Sequence, residues 1–88
     1  MLVRHGVRLP PLLADMWDQI EAAKDRGLYI DSLVWMFYPG KPTREAGNCV
    51  KVNISRINDL MCETDYRIRS AERFAPYRVV MEKETELT

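Results

Sequence analysis

A chain of 88 residues makes one domain, able to bury roughly two-thirds of its unfolded surface but too small for a deep substrate cleft, so no enzymatic activity is expected. Its 13 basic and 13 acidic side chains cancel, so no global field draws it to nucleic acid or anionic lipid. The local balance is uneven: residues 1–40 carry four basic and five acidic side chains, residues 41–80 eight and five, and residues 81–88 one and three.

Met1–Leu9 sets a His-Gly pair between two short runs containing apolar residues, which predicts a minimal β-hairpin turning at His5-Gly6. Pro10-Pro11 ends it and suits the first turn of a helix. Leu13, Met16, Trp17, Ile20 and Ala23 then share a face, with Asp15, Asp18, Glu21 and Asp25 looking outward. Gly27 stands where a C-terminal cap belongs, so the first helix is expected over about residues 11–26. Leu28-Tyr29-Ile30 reads as a short extended piece. Asp31 or Ser32 can cap a second helix that runs through Tyr38 and stops at Pro39-Gly40. That helix is apolar nearly all round, which predicts burial on several sides and places Trp35 and Phe37 in the core.

Pro39–Gly47 reads as a turn-rich connection, expected to be the most mobile part, with Lys41 and Arg44 exposed. A third helix follows, from between Arg44 and Asn48 to about Cys62. Tyr66–Ser70 and Tyr77–Met81 then have strand spacing, joined by a tip, Ala71–Pro76, that holds Arg73. The domain is expected to span 1–83, and the charged residues 84–88 to fray.

Cys49 and Cys62, if both on the third helix, lie about 20 Å apart at 1.5 Å per residue, beyond disulfide reach. They read as reduced thiols of a cytoplasmic protein. His5 is the only histidine, and no Cys or His pair has zinc-ligand spacing, so neither a metal nor another cofactor is expected. The longest uninterrupted apolar run, Leu33–Tyr38, is too short for a membrane span or a signal-peptide core, and no cleavage pattern marks the N-terminus. No membrane association is expected.

The third helix carries the functional signal. At 3.6 residues per turn Val50, Ile54, Ile57 and Met61 fall on one side, and Asn48, Val52, Ser55 and Asp59 on the other, flanked by Lys51 and Arg56. Three helices and a C-terminal hairpin, with a short sheet in front, is the order of an α+β winged helix-turn-helix. The residues also resemble a family. Val50-Lys51-Val52-Asn53-Ile54-Ser55-Arg56-Ile57 is similar to the third-helix pattern of the OmpR/PhoB-type effector domains, and Tyr66–Ser70 with Tyr77-Arg78-Val79 to the two strands of their wing. Val7–Leu13 resembles their approach to helix one and Gly27–Leu33 their passage into helix two. Asn58-Asp59-Leu60 stands where that family commonly carries a basic cluster, and Pro76 where it commonly has a glycine, so the tip must bend differently. The resemblance implies a free-standing effector domain without a receiver.

An α-helix fits the major groove of B-DNA, which is about 12 Å wide. Asn48, Lys51, Val52, Ser55 and Arg56 are the expected base contacts: Asn pairs with adenine, Lys or Arg with guanine, Val touches a thymine methyl, and Ser bonds to a base or a phosphate. Lys41, Thr43, Arg44, Arg67, Arg69 and Arg73 are the expected backbone and wing contacts, with Arg73 suited to a minor groove. The expectation is a transcriptional regulator that binds double-stranded DNA sequence-specifically as a homodimer, formed on DNA if not before. The competing expectation is a winged-helix protein-interaction module, an inhibitor or adaptor of a mobile element, that does not bind DNA; Asp59 and Glu72 near the same face suit it.

Overall fold

Two antiparallel hairpins flank three α-helices in the computed structural model, an α+β domain of which residues 1–82 are described. The tail at 84–88 lies outside the described residues. Strands β1 (Leu2–Arg4) and β2 (Val7–Leu9) pair across the turn at His5 and Gly6, whose φ values of 51° and 80° give the two left-handed residues of a tight hairpin. Helix α1 (Pro11–Ala22) opens on its proline and buries Leu13, Ala14, Met16, Trp17 and Ile20. It ends earlier than spacing predicts, because Lys24 takes a left-handed φ of 50° and a 3₁₀ turn, Lys24–Arg26, carries the chain to Gly27.

The acidic side of α1 is a docking face and only partly a solvent face. Arg4 donates from Nε and Nη2 to the Asp18 carboxylate at 2.7 and 2.8 Å. Those bonds hold the Asp18 carboxyl below the usual carboxylate range. Glu21 lies 2.7 Å from His5 Nε2 and accepts from Trp17 Nε1 at 3.2 Å, while the His5 ring stacks on Tyr66 at 4.1 Å. Through these groups the N-terminal hairpin ties α1 to the C-terminal one.

Helix α2 (Ile30–Phe37) differs from its sequence reading in two respects. Its cap position is Tyr29, whose carbonyl accepts from Ser32 and Leu33, and neither Asp31 nor Ser32 caps it. Of the two aromatic residues expected in the core, Phe37 is half-buried, but Trp35 is 76% exposed. A helix of eight residues packed against α3 buries one face only. Leu33 takes the centre of that face, and Trp35, two residues and about 200° further round, is turned to solvent.

Helix α3 (Thr43–Leu60) begins inside the predicted connection, directly after Pro42, whose carbonyl accepts from Ala46. Helical continuation buries Ala46 and sets Gly47 against Ile30, so the connection shrinks to the residues around Gly40. The predicted stripe Val50, Ile54, Ile57 and Met61 is buried against Leu9, α1, Leu33 and Ile68. Each such aliphatic side chain contributes about 1.5–3 kcal/mol. Asn53, within the stripe, is polar and buried, and its Nδ2 donates to Tyr38 Oη at 2.6 Å.

Strands β3 (Tyr66–Ser70) and β4 (Tyr77–Met81) pair as Tyr66↔Met81, Ile68↔Val79 and Ser70↔Tyr77, so Tyr66, Ile68, Tyr77 and Val79 share the face that packs on the core. Arg69 opposes Arg78 on the other face, and the like-charge pair is offset by Glu82, which accepts from Arg69 at 2.9 and 3.1 Å. Leu28 and Tyr77 exchange two backbone hydrogen bonds, at 3.0 and 2.8 Å, and so join the passage between α1 and α2 to β4. Among the described residues no helix is long and apolar enough to cross a membrane.

Candidate nucleic-acid interface

The stripe that fixes α3 on the core leaves its opposite flank bare. Asn48, Lys51, Val52, Ser55, Arg56 and Asp59 are all exposed, and Val52, an apolar side chain, is 56% exposed. Lys41, Thr43 and Arg44 are exposed at the approach to the same helix, and Lys41 Nζ lies 5.9 Å from the centre of the Tyr38 ring. That contact places a cation beside the start of α3, because Tyr38 is itself held by Asn53.

Five of the predicted residues meet in one place. A hollow of about 450 Å³ is lined by Thr43, Arg44, Asn48 and Lys51 from the first half of α3 and by Arg73 from the tip of the C-terminal hairpin. Asp31 is the carboxylate on its wall, so three cations face one anion. The remainder of the flank is divided. Val52 lines a shallow apolar depression with Tyr38 and Asn48, while Arg56 and Asp59 border a separate groove with Leu12 and Leu60, at the start of α1. The first half of α3 is therefore cationic and joined to the hairpin tip. Its second half is mixed in charge and joined to α1.

Two arginines of the predicted contact set have other partners. Arg67 donates to the carbonyls of Met61, Thr64 and Tyr66 from Nη1, at 2.9, 2.8 and 2.6 Å, and to that of Cys62 from Nη2 at 3.2 Å. These carbonyls belong to the turn that follows α3 and to the first residue of β3, so the guanidinium fixes the passage from helix to strand. Thr64 adds to this, donating from Oγ1 to the Met61 carbonyl and accepting from the Tyr66 N–H. Arg69 is paired with Glu82. Arg67→Ala is expected to cost about 2 kcal/mol of stability, as charge-assisted bonds to carbonyls are lost. The same substitution should leave the salt dependence of any DNA binding unchanged; urea denaturation and binding titrations check the two halves.

Sequence spacing alone missed Asn53 and Asn58. Asn53 lies three residues after Val50 and so falls on the core stripe. Asn58 borders it, four residues after Ile54. The Asn58 amide donates to the Ile68 carbonyl at 3.0 Å and accepts from the Ile68 N–H at 2.8 Å, holding β3 to α3. Both thiols are free, Cys49 half-buried and Cys62 exposed. Among the described residues no cluster of three or more His, Cys, Asp or Glu side chains could hold a metal ion. No protein-family model, curated protein or solved structure matches this chain.

Proposed function

We propose that the chain is a winged helix-turn-helix domain of the OmpR/PhoB effector kind, a transcriptional regulator that binds double-stranded DNA at specific sites. Helix α3 enters the major groove by its N-terminal half, and the hairpin β3–β4 serves as the wing. The observation that carries this reading is the convergence of Thr43, Arg44, Asn48 and Lys51 with Arg73 on one exposed hollow. A helix N-terminus beside a cationic hairpin tip is suited to a phosphate and the base edges next to it. Asp59 limits the depth of insertion: it lies three turns beyond Asn48, so the helix must tilt its C-terminal end away from phosphate.

Arg67 donates to backbone carbonyls and Arg69 pairs with Glu82 at the surface, which leaves Lys41, Arg44, Lys51, Arg56 and Arg73 as the exposed cations for DNA. If each displaces about one condensed counterion, at a phosphate or beside a base edge, log K should fall against log salt with a slope of roughly −4 to −5 per protomer. A single protomer then binds weakly, and two protomers on paired half-sites supply the rest. Selection of bound duplexes from a random pool at two salt concentrations tests this. A repeated consensus is expected, and failure to enrich any duplex at low salt would refute it. Arg56→Ala should relax base preference, whereas Lys41→Ala should weaken all sequences alike; equal loss of discrimination from both would contradict the division of roles.

One observation favours a second reading. Trp35 and Val52 are exposed apolar side chains, and Asp31 and Asp59 lie close to the cationic face, as suits a protein partner. In that case the chain is a small inhibitor or adaptor, and retention on DNA is absent even at low salt.

A further inference from the structure

The tip of the C-terminal hairpin holds a residue that folding by itself does not explain. Phe74 has φ of 68°, a left-handed backbone that bulky side chains rarely adopt, and its ring is 78% exposed. Burial does not offset that strain. The conformation is nevertheless pinned: the Ala75 N–H donates to the Glu72 carbonyl at 3.0 Å, and Ser70 Oγ lies 2.9 Å from the carbonyls of both Glu72 and Ala75. The Arg73 guanidinium sits 5.0 Å from the centre of the Phe74 ring. A hydrogen-bonded turn thus presents an apolar ring backed by a cation, beside a hollow that Phe74 and Arg73 share with Lys51 of α3.

We propose that Phe74 is a wedge that enters the minor groove of duplex DNA and partly unstacks one base step, with Arg73 following it into the groove. The inference rests on the DNA-binding reading and names a contact beyond it. Three features fit this ligand. Apolar side chains flanked by cations are the groups that unstack base steps from the minor groove. The minor groove lies between two rows of phosphates, whose negative potential draws Arg73 in. Lys51 on the same hollow places the tip next to the helix assigned to the major groove, so the two elements address neighbouring grooves of one duplex. Glu72, the carboxylate on this hollow, is repelled by phosphate and favours entry by ring and guanidinium over a flat grip on the backbone. Pyrimidine–purine steps unstack most readily, so a TA or CA step beside the major-groove contacts is the preferred target.

The test uses the full chain and a duplex recovered from the random pool, with 2-aminopurine replacing adenine at each TA or CA step in turn. Binding of the unaltered protein should raise the fluorescence at one step. Phe74→Ala and Phe74→Gly should abolish the rise and weaken binding about tenfold, while Phe74→Leu keeps part of both. Phe74→Gly also controls for folding, since glycine accepts the left-handed φ without strain and should denature no earlier than the parent. A duplex bound with no fluorescence change at any step, or bound equally well by Phe74→Ala, would overturn the wedge and leave the DNA reading intact. If no duplex is bound at all, both fall.

Discussion

Gly27→Ala is expected to cost about 3 kcal/mol or more, the largest effect among the glycine-to-alanine changes of this chain. Gly27 has φ of 68° and ψ of −175°, a region that is essentially glycine-only and costs about 1–3 kcal/mol for other residues. The added Cβ would also meet the Tyr77 carbonyl oxygen at 2.6 Å, Arg78 Cγ at 2.7 Å and Pro76 Cβ at 3.0 Å. Arg78 is flexible and can move aside. The Tyr77 carbonyl cannot, because it accepts the Leu28 N–H, and giving way breaks the bridge between the α1–α2 passage and β4. Against a total stability of about 5–15 kcal/mol for a domain, the variant should be strongly destabilised and in part unfolded at 37 °C. Gly40→Ala is the control, since Gly40 has φ of 91° but open space around a new Cβ. Urea denaturation should separate the two by roughly 1–2 kcal/mol, the share of the clash; equal midpoints would show that the approach at Tyr77 is harmless.

The second large effect is expected at Asn58. Both polar atoms of its amide are bonded to Ile68, on the edge of β3 that faces away from β4, so the side chain stands in for one residue of a neighbouring strand. Asn58→Ala leaves the Ile68 N–H and carbonyl unpaired beside α3 and should cost about 2 kcal/mol. Asn58→Asp keeps an acceptor for the N–H but sets a carboxylate against the Ile68 carbonyl, and should be no better than alanine. Amide hydrogen exchange at Ile68 is the specific readout, and it should quicken well beyond that of the Leu28–Tyr77 bridge. Loosening of β3 also frees the tip that carries Arg73, so the salt slope of DNA binding should drop by about one in the same variant. A loss of stability below about 0.5 kcal/mol would mean that α3 and β3 hold together by apolar packing alone.

Asn58 also shows what spacing can and cannot reveal. A periodic pattern marks which side of a helix is apolar, and on that basis the stripe Val50, Ile54, Ile57 and Met61 was legible, as were both hairpins and the His5-Gly6 turn. A polar residue at the border of such a stripe has no signature of its own. Its partner is a backbone group ten residues on, and only the angle at which the hairpin leaves the helix brings them together. The backbone partners of Arg67 were hidden for a related reason. Strand alternation puts Arg67 on the outer face of β3, where a cation ordinarily meets solvent or phosphate, but the turn after Leu60 brings several backbone carbonyls within its reach. Trp35 failed in the opposite direction. An apolar composition all round predicts burial on all sides, which holds only where there are neighbours enough to cover them, and α2 has one face to hide and little protein beyond it.

Local chemistry thus determined the elements and the bare flank of α3: proline and glycine set the breaks, period two set the strands, and period 3.6 separated the core side of the helix from the polar one. Tertiary structure decided which cations stay available. It gathered Arg44, Lys51 and Arg73, 22 residues apart at the last step by sequence, around one hollow, while turning Arg67 onto the carbonyls of the turn after α3 and pairing Arg69 with Glu82. The reason is that a charged side chain reaches several ångströms in any direction its backbone allows. Its partner is therefore fixed by the meeting of distant segments in space, which residue spacing along one element does not encode.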